Sequence, residues 1–136
     1  MTTPVGLFML VMGIGMAGMW SVDILRSPEI DRTRGLLRAR DRNGSVMAPH
    51  WLAEYATAAT MLVGGLGLLL GWSAGPWAWL VPIGLGALAY TGLNSQAWVL
   101  AERSRYAYGI PIAIGLVGPL VAIGLIIAGI LALPVG

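Results

Sequence analysis

The stretch WLAEYATAATMLVGGLGLLLGW, residues Trp51–Trp72, decides the fold class. It carries one charged side chain, Glu54, in a run as long as the ~20 apolar residues that a helix needs to cross a bilayer. Three further stretches have the same character, and the four predicted spans cover residues 4–24, 51–72, 77–100 and 106–133. The sequence therefore predicts an all-α integral membrane protein, a four-transmembrane-helix bundle that forms a single membrane domain over residues 1–136.

The composition favours a membrane protein and excludes several kinds of site. Of the 136 residues, 57% are hydrophobic and only 10% are charged, against roughly 25% charged residues in a soluble domain. Cysteine and lysine are absent, which excludes disulfides, thiolate metal sites and Schiff-base lysines. A single histidine cannot build a multi-histidine metal site. We therefore expect no metal site and no cofactor, and the net charge of +2 gives no indication of nucleic-acid binding.

The basic residues set the orientation of the predicted spans. All eight are arginines, and they fall within residues 26–42, between spans one and two, and at Arg103 and Arg105, between spans three and four. Because cytoplasmic loops are enriched in basic residues, this asymmetry predicts both termini outside and both arginine-bearing loops in the cytoplasm. Trp20 and Trp51 lie near the predicted cytoplasmic boundary and are interpreted as interfacial aromatics.

The N-terminal span and the arginine usage bear on location. The first span lacks a basic n-region and a small-residue cleavage site, so we expect it to be retained and not removed as a signal peptide. The use of arginine without lysine is typical of a high-GC bacterial genome. We therefore expect a bacterial inner membrane, with the lipid bilayer as the principal partner.

The cytoplasmic segment, residues 26–50, is the long polar stretch of the chain. An amphipathic helix is predicted over about residues 28–43, with Ser27 as its cap and Asn43-Gly44 as its stop. We expect it to lie at the inner membrane surface. The candidates for contact with anionic lipid or another anionic ligand are Arg38, Arg40, Arg42, Arg103 and Arg105.

Small residues recur at helical spacing along one face of three predicted spans. They are Gly6, Gly13 and Ala17 in span one, Ala53, Thr57, Thr60, Gly64, Gly67 and Gly71 in span two, and Gly115, Gly118, Ala122 and Gly129 in span four. Such faces let helix backbones approach closely in lipid. They predict seams between helices of a tight bundle, and they allow a further seam with a second copy or with another membrane protein.

Polar side chains gather at one depth, in the cytoplasmic third of the predicted bundle. The candidate cluster comprises Asp23, His50, Glu54, Tyr90, Asn94 and Glu102. Ionisable residues inside a span are costly and indicate a functional site. His50 and Glu54 are four residues apart, so they share a helical face and can hold or relay a proton. The alternative is that the carboxylates pair with arginines and only fix the register of the helices.

Three functions remain open from the sequence. The seams and the lack of a catalytic constellation favour a non-enzymatic accessory or scaffolding subunit, or a homo-oligomer, that binds a lipophilic molecule. The first alternative is a proton-linked transporter of a small or amphiphilic substrate, with Glu54 and His50 carrying the proton. The second alternative is a membrane enzyme acting on a lipophilic substrate, with the loop arginines holding an anionic cosubstrate near Glu54, Tyr90 and Asn94.

Two families resemble parts of this pattern. The four spans with outside termini, together with the segment RARDRN at Arg38–Asn43, resemble the membrane-associated glutathione transferase family. That family's motif continues with a glutamate three residues after the asparagine, where this chain has Val46, so its glutathione-binding residues are not carried over. The glycine-rich stretch Glu54–Gly71 is similar to small bacterial proteins of the DoxX type, which implies a four-helix membrane fold.

Overall fold

The computed structural model describes four stretches of the chain, residues 2–26, 42–72, 76–101 and 115–131. Side chains are described throughout these stretches except at positions 23, 26, 42–48, 76–77, 98–101 and 130–131. The described part is all-helical and contains no strand, which confirms the all-α part of the predicted fold class. Its elements are α1 (Thr2–Arg26), α2 (Arg42–Leu69), a short 3-10 helix (Pro76–Trp79), α3 (Leu80–Ala101) and α4 (Val117–Leu131).

The helices follow the predicted spans, with a correction at the start of α2. This helix begins at Arg42 and not at Trp51, so Asn43 and Gly44, predicted to stop a preceding helix, lie in its first turn. The first four N–H groups of a helix have no partner within the helix, and its first turn tolerates residues of low helix propensity. The rest of the helix predicted over residues 28–43 lies outside the described residues.

Two helical segments are long and apolar enough to cross a membrane, by length and composition. They are Thr2–Val22, with a mean hydropathy of 1.9, and Pro49–Leu69, with a mean hydropathy of 1.4. The second half of α3 carries Asn94 and Gln96, and the apolar part of α4, Val117–Gly129, is shorter. Within the described residues, predicted spans one and two therefore have the length and composition of membrane spans.

Each helix packs against the next one along the chain, α1 on α2, α2 on α3 and α3 on α4. The core between them comprises Met9, Met16, Trp20, Ile24, Trp51, Ala58, Met61, Leu85, Leu88 and Ala122. Met9 and Met61 are fully buried, because flexible thioether side chains fill irregular space between helices. Only 3% of Trp20 and 1% of Trp51 is exposed, so the interpretation of these two residues as interfacial aromatics is wrong.

Glycines form the closest contact between α1 and α2. A Cβ atom on Gly65 would lie 2.8 Å from the carbonyl oxygen of Gly6, and one on Gly13 would lie 3.0 Å from the carbonyl oxygen of Ala58. Gly64 is similarly close to the backbone at the start of α3, where a Cβ atom would lie 3.1 Å from a carbonyl oxygen. Gly6, Gly13 and Gly64 therefore lie at helix contacts, as their spacing predicts.

The end of α2 accounts for two other glycines of the predicted stripe. Gly71 has a φ of 74°, and the N–H groups of Trp72 and Gly71 donate to the carbonyl oxygens of Gly67 and Leu68 at 2.8 and 3.3 Å. This pattern is a Schellman cap, in which glycine adopts the left-handed conformation without steric cost. The ring of Trp72 lies over Gly67. Gly67 and Gly71 therefore end a helix instead of lining a seam between two helices.

Candidate functional site

Polar side chains of α2 and α3 meet in the interior of the bundle. His50 and Glu54 are one turn apart on α2, so they share one face of that helix. Thr91 and Ser95 share a face of α3 for the same reason. Only 2% of Glu54, 6% of His50 and 4% of Thr91 is exposed. We call His50, Ser95 and Glu54 the α2–α3 cluster, because it joins these two helices.

Three atoms of the cluster form a triangle. The Ser95 hydroxyl donates to Glu54 Oε1, with an Oγ–Oε1 distance of 2.8 Å. His50 Nε2 lies 3.1 Å from Ser95 Oγ and 3.3 Å from Glu54 Oε1. Each atom is therefore within reach of a proton on either of the other two.

The hydrogens of the triangle can be counted. A serine hydroxyl has one hydrogen, and when Ser95 donates it to Glu54 the interaction with His50 requires a hydrogen on Nε2. If Glu54 instead carries a proton and donates it to Ser95, the hydroxyl can turn and donate to a bare Nε2. The same positions of the heavy atoms therefore suit two arrangements of protons.

Trp20 of α1 closes the cluster on a third side. Its ring packs edge-on against the His50 ring, with centroids 5.2 Å apart and an interplanar angle of 86°. The indole N–H and the Thr91 side chain are both close to the Glu54 carboxyl group. Yet Trp20 Nε1 is buried and makes no hydrogen bond within the described part of the chain. The indole N–H of Trp20 is thus a hydrogen-bond donor that lies beside the Glu54 carboxyl group and has no hydrogen-bond acceptor in the described part of the chain.

Thr91 lies beside the cluster, and its hydroxyl hydrogen is bound within its own helix. Its hydroxyl donates to the Ala87 carbonyl oxygen of the preceding turn, with an oxygen–oxygen distance of 2.8 Å. The lone pairs of the Thr91 oxygen remain able to accept a hydrogen bond. Of the two hydroxyl groups beside Glu54, that of Ser95 therefore donates to the carboxyl group, whereas that of Thr91 donates within its own helix.

A second polar contact joins α1 to α2 at Tyr55, the residue that follows Glu54. Ser21 Oγ donates to the Ala17 carbonyl oxygen at 2.6 Å and lies 2.7 Å from the Tyr55 hydroxyl. Because the Ser21 hydrogen is already used, the Tyr55 hydroxyl donates to Ser21. This contact fixes α1 against α2 beside the cluster and is separate from its hydrogen bonds.

The structure brings together two of the six polar residues proposed from the sequence, His50 and Glu54. Tyr90 is 73% exposed on the outer side of α3, and among the described hydrogen bonds none joins the half-buried Asn94 to the cluster. No observation on the described residues therefore favours the enzyme alternative. The Asp23 side chain, Glu102 and the candidate arginine side chains of Arg38, Arg40, Arg42, Arg103 and Arg105 lie outside the described residues. Pairing of the carboxylates with arginines consequently stays a prediction.

Ser95 and Trp20 belong to the site but are not among the residues proposed for it from the sequence. The spacing of Thr91 and Ser95 repeats the four-residue spacing of His50 and Glu54, and this signal could have indicated two facing polar pairs. Trp20 carries no such signal, because tryptophan near a predicted span boundary fits an interfacial position equally well.

The described side chains can exchange a proton, and they offer few metal ligands. Among them, no group of three or more histidines and carboxylates comes together.

Comparison with protein-family models, with curated proteins and with solved structures finds no match to this chain. The resemblances noted for the first loop and for span two therefore rest on those residues alone.

Proposed function

We propose that this chain is an integral membrane protein of four spans. Its outer helix faces carry large apolar side chains, with Val11 67% exposed and Ile14 65% exposed on α1, and Leu52 63% exposed on α2. Its ionisable groups His50 and Glu54 are buried instead. Lipid favours this arrangement, because apolar side chains can face hydrocarbon while polar groups need partners inside the protein.

The orientation in this proposal rests on the arginines. All eight fall in the segments before span two and after span three, and such loops remain on the cytoplasmic side. Both termini then lie outside, and the membrane is a bacterial inner membrane. Arg38 and Arg40 of the first loop, and Arg42 at the start of α2, lie at the headgroups of anionic lipids in this topology.

Within that frame we propose a non-enzymatic subunit that associates with further copies of itself. Glycines on the outer faces of α1 and α4 support this proposal. A Cβ atom added at Gly15 or Gly18 of α1, or at Gly124 or Gly129 of α4, would meet nothing within 4 Å. In lipid, small residues at a helix surface permit the close approach of another helix. The inner glycines are covered by neighbouring helices, whereas these outer ones are open to a second copy.

The association can be tested with a bulky residue at an open glycine of α4. We expect Gly124→Leu to weaken self-association about tenfold or more, because overpacking an interface costs ~1–3 kcal/mol. Energy transfer between donor- and acceptor-labelled copies in lipid vesicles measures the association. Val121→Leu is the matched control, because Val121 is exposed on the same helix and already carries a branched side chain. Equal energy transfer in Gly124→Leu and wild type, or no transfer in wild type, would contradict the proposal.

A second candidate function is proton-linked transport of a small amphiphilic solute. The buried pair His50 and Glu54 of the α2–α3 cluster favours it, because ionisable side chains inside spans are typical of proton pathways in transporters. We expect wild-type protein in vesicles to accumulate the amphiphilic cation ethidium when a pH gradient is imposed. Glu54→Gln should abolish this uptake while the protein remains helical. Uptake that is the same in Glu54→Gln and wild type would rule out the role of Glu54.

A further inference from the structure

We propose that the α2–α3 cluster is a binding site for a single proton, which passes between His50 Nε2 and Glu54 Oε1 through the Ser95 hydroxyl. This deepens the second candidate function by naming the proton's site and route. The site itself does not require transport, so it is tested on the protein directly.

The geometry selects a proton as the ligand. The three atoms lie 2.8, 3.1 and 3.3 Å apart, which is hydrogen-bond distance for each pair or just beyond it. Glu54 is 2% exposed and His50 is 6% exposed, so neither is open to a bulky ligand in this conformation. A proton is the ligand that changes the bonding of these groups without separating them.

The transfer balances with the cluster neutral overall. In one form His50 is an imidazolium and Glu54 a carboxylate. The Nε2–H bond then breaks as a new Oγ–H bond forms on Ser95, while the original Oγ–H bond breaks and an Oε1–H bond forms on Glu54. Nitrogen keeps its electron pair, and the second form holds a neutral imidazole with hydrogen on Nδ1 and a carboxylic acid. Ser95 is a hydroxyl in both forms.

Two further side chains lie beside the Glu54 carboxyl group, those of Trp20 and Thr91. The Trp20 indole N–H is a buried donor without a hydrogen bond in the described part of the chain, and it is placed to stabilise the carboxylate form. The Thr91 hydroxyl beside it keeps its hydrogen on the Ala87 carbonyl oxygen. Neither group is titratable, and neither needs to move when the proton does.

Other titratable groups near the cluster are few among the described side chains. On α2, Tyr55 is held by its hydrogen bond to Ser21 of α1. On α3, Tyr90 is 73% exposed on the outer face. The Asp23 side chain on α1 lies outside the described residues. Within the described part, His50 and Glu54 are therefore the pair that shares the proton.

The chain offers a direct test because it contains one histidine. Protein labelled with ¹⁵N-histidine and ¹³C-carboxyl glutamate is studied in bilayers by solid-state NMR over a range of pH. We expect the ¹⁵N shift of His50 Nε2 to lie between the values for a protonated and a bare nitrogen while the site holds its proton. The Glu54 carboxyl shift should be intermediate as well, and both shifts should change at one shared pH. Glu54→Gln identifies the Glu54 signal by its loss.

Two serine variants test the route through the hydroxyl. Ser95→Ala removes the route, so we expect the His50 Nε2 shift to move to one of its two limits. Ser95→Thr retains a hydroxyl and should retain the intermediate shift. In Glu54→Gln the protonation constant of His50 should change by about tenfold or more, because a charge partner at this distance is lost.

Several results would overturn the proposal. If the His50 signal titrates with no change at Glu54, the two residues do not share a proton. If the intermediate Nε2 shift persists unchanged in Ser95→Ala, the proton does not pass through the Ser95 hydroxyl. If Ser95→Ala does not fold, separate titration of the two residues in wild type or Ser95→Thr is still decisive. Shared titration without proton-driven ethidium uptake would leave the proton site standing and remove the transport function.

Discussion

Glu54→Ala is expected to lower the free energy of unfolding by about 3–5 kcal/mol, which is typical when one partner of a buried ionic pair is removed. The loss leaves His50 Nε2 and the Ser95 hydroxyl facing a cavity, with no acceptor at the position of Oε1. Unfolding of the purified protein in mixed micelles of mild and denaturing detergent measures the change, with helicity as the signal.

Glu54→Gln is the matched variant. Its side-chain amide has nearly the shape of the carboxyl group and can still accept from Ser95, so we expect a loss of only about 1–2 kcal/mol. The loss in Glu54→Gln reports the ionisable group, and the further loss in Glu54→Ala reports the hydrogen-bond acceptor and the filled space together. A Glu54→Ala protein as stable as Glu54→Gln would show that the cluster does not hold α2 against α3.

Gly65→Ala is the second large effect, with an expected loss of about 2–3 kcal/mol in the same unfolding assay. The added Cβ atom would lie 2.8 Å from the Gly6 carbonyl oxygen and 3.0 Å from Met9 Cβ. One of these neighbours is backbone, so no side-chain rotation relieves the contact. α1 and α2 must therefore move apart at Gly6 and Gly65, where the two helices are in closest contact.

The control for this substitution is Gly15→Ala, the same change at an open position of α1. No atom lies within 4 Å of the added Cβ atom there. Alanine also favours a helix over glycine by roughly 0.5–1 kcal/mol, so this variant should be as stable as wild type or slightly more stable. If both substitutions had the same effect, the close contact between α1 and α2 would be disproved.

Sequence patterns predict the helices well, and they predict two of the three residues of the α2–α3 cluster. Long apolar runs define α1 and most of α2, and the four-residue spacing of His50 and Glu54 places both on one face. The partner across the interface is Ser95, and spacing within one helix does not specify which face of a neighbour it meets. Trp20 is missed for the same reason.

Glycine spacing also has two physical causes that a sequence does not separate. Gly64 and Gly67 follow the same stripe, yet Gly64 permits contact with α3 whereas Gly67 lies under the ring of Trp72. The start of α2 shows a similar ambiguity, because Asn43-Gly44 is favourable after one helix and tolerable in the first turn of the next. Packing between elements decides these cases.

The membrane topology can be measured directly with single cysteines, because the chain contains no cysteine of its own. Single cysteines are introduced as Thr3→Cys, Ser45→Cys, Ser73→Cys and Ser104→Cys, and each variant is treated with a membrane-impermeant maleimide on intact cells. We expect Thr3→Cys and Ser73→Cys to react from outside, and Ser45→Cys and Ser104→Cys to react only after the membrane is permeabilised. Labelling of Ser73→Cys and Ser104→Cys from the same side would contradict the four-span arrangement.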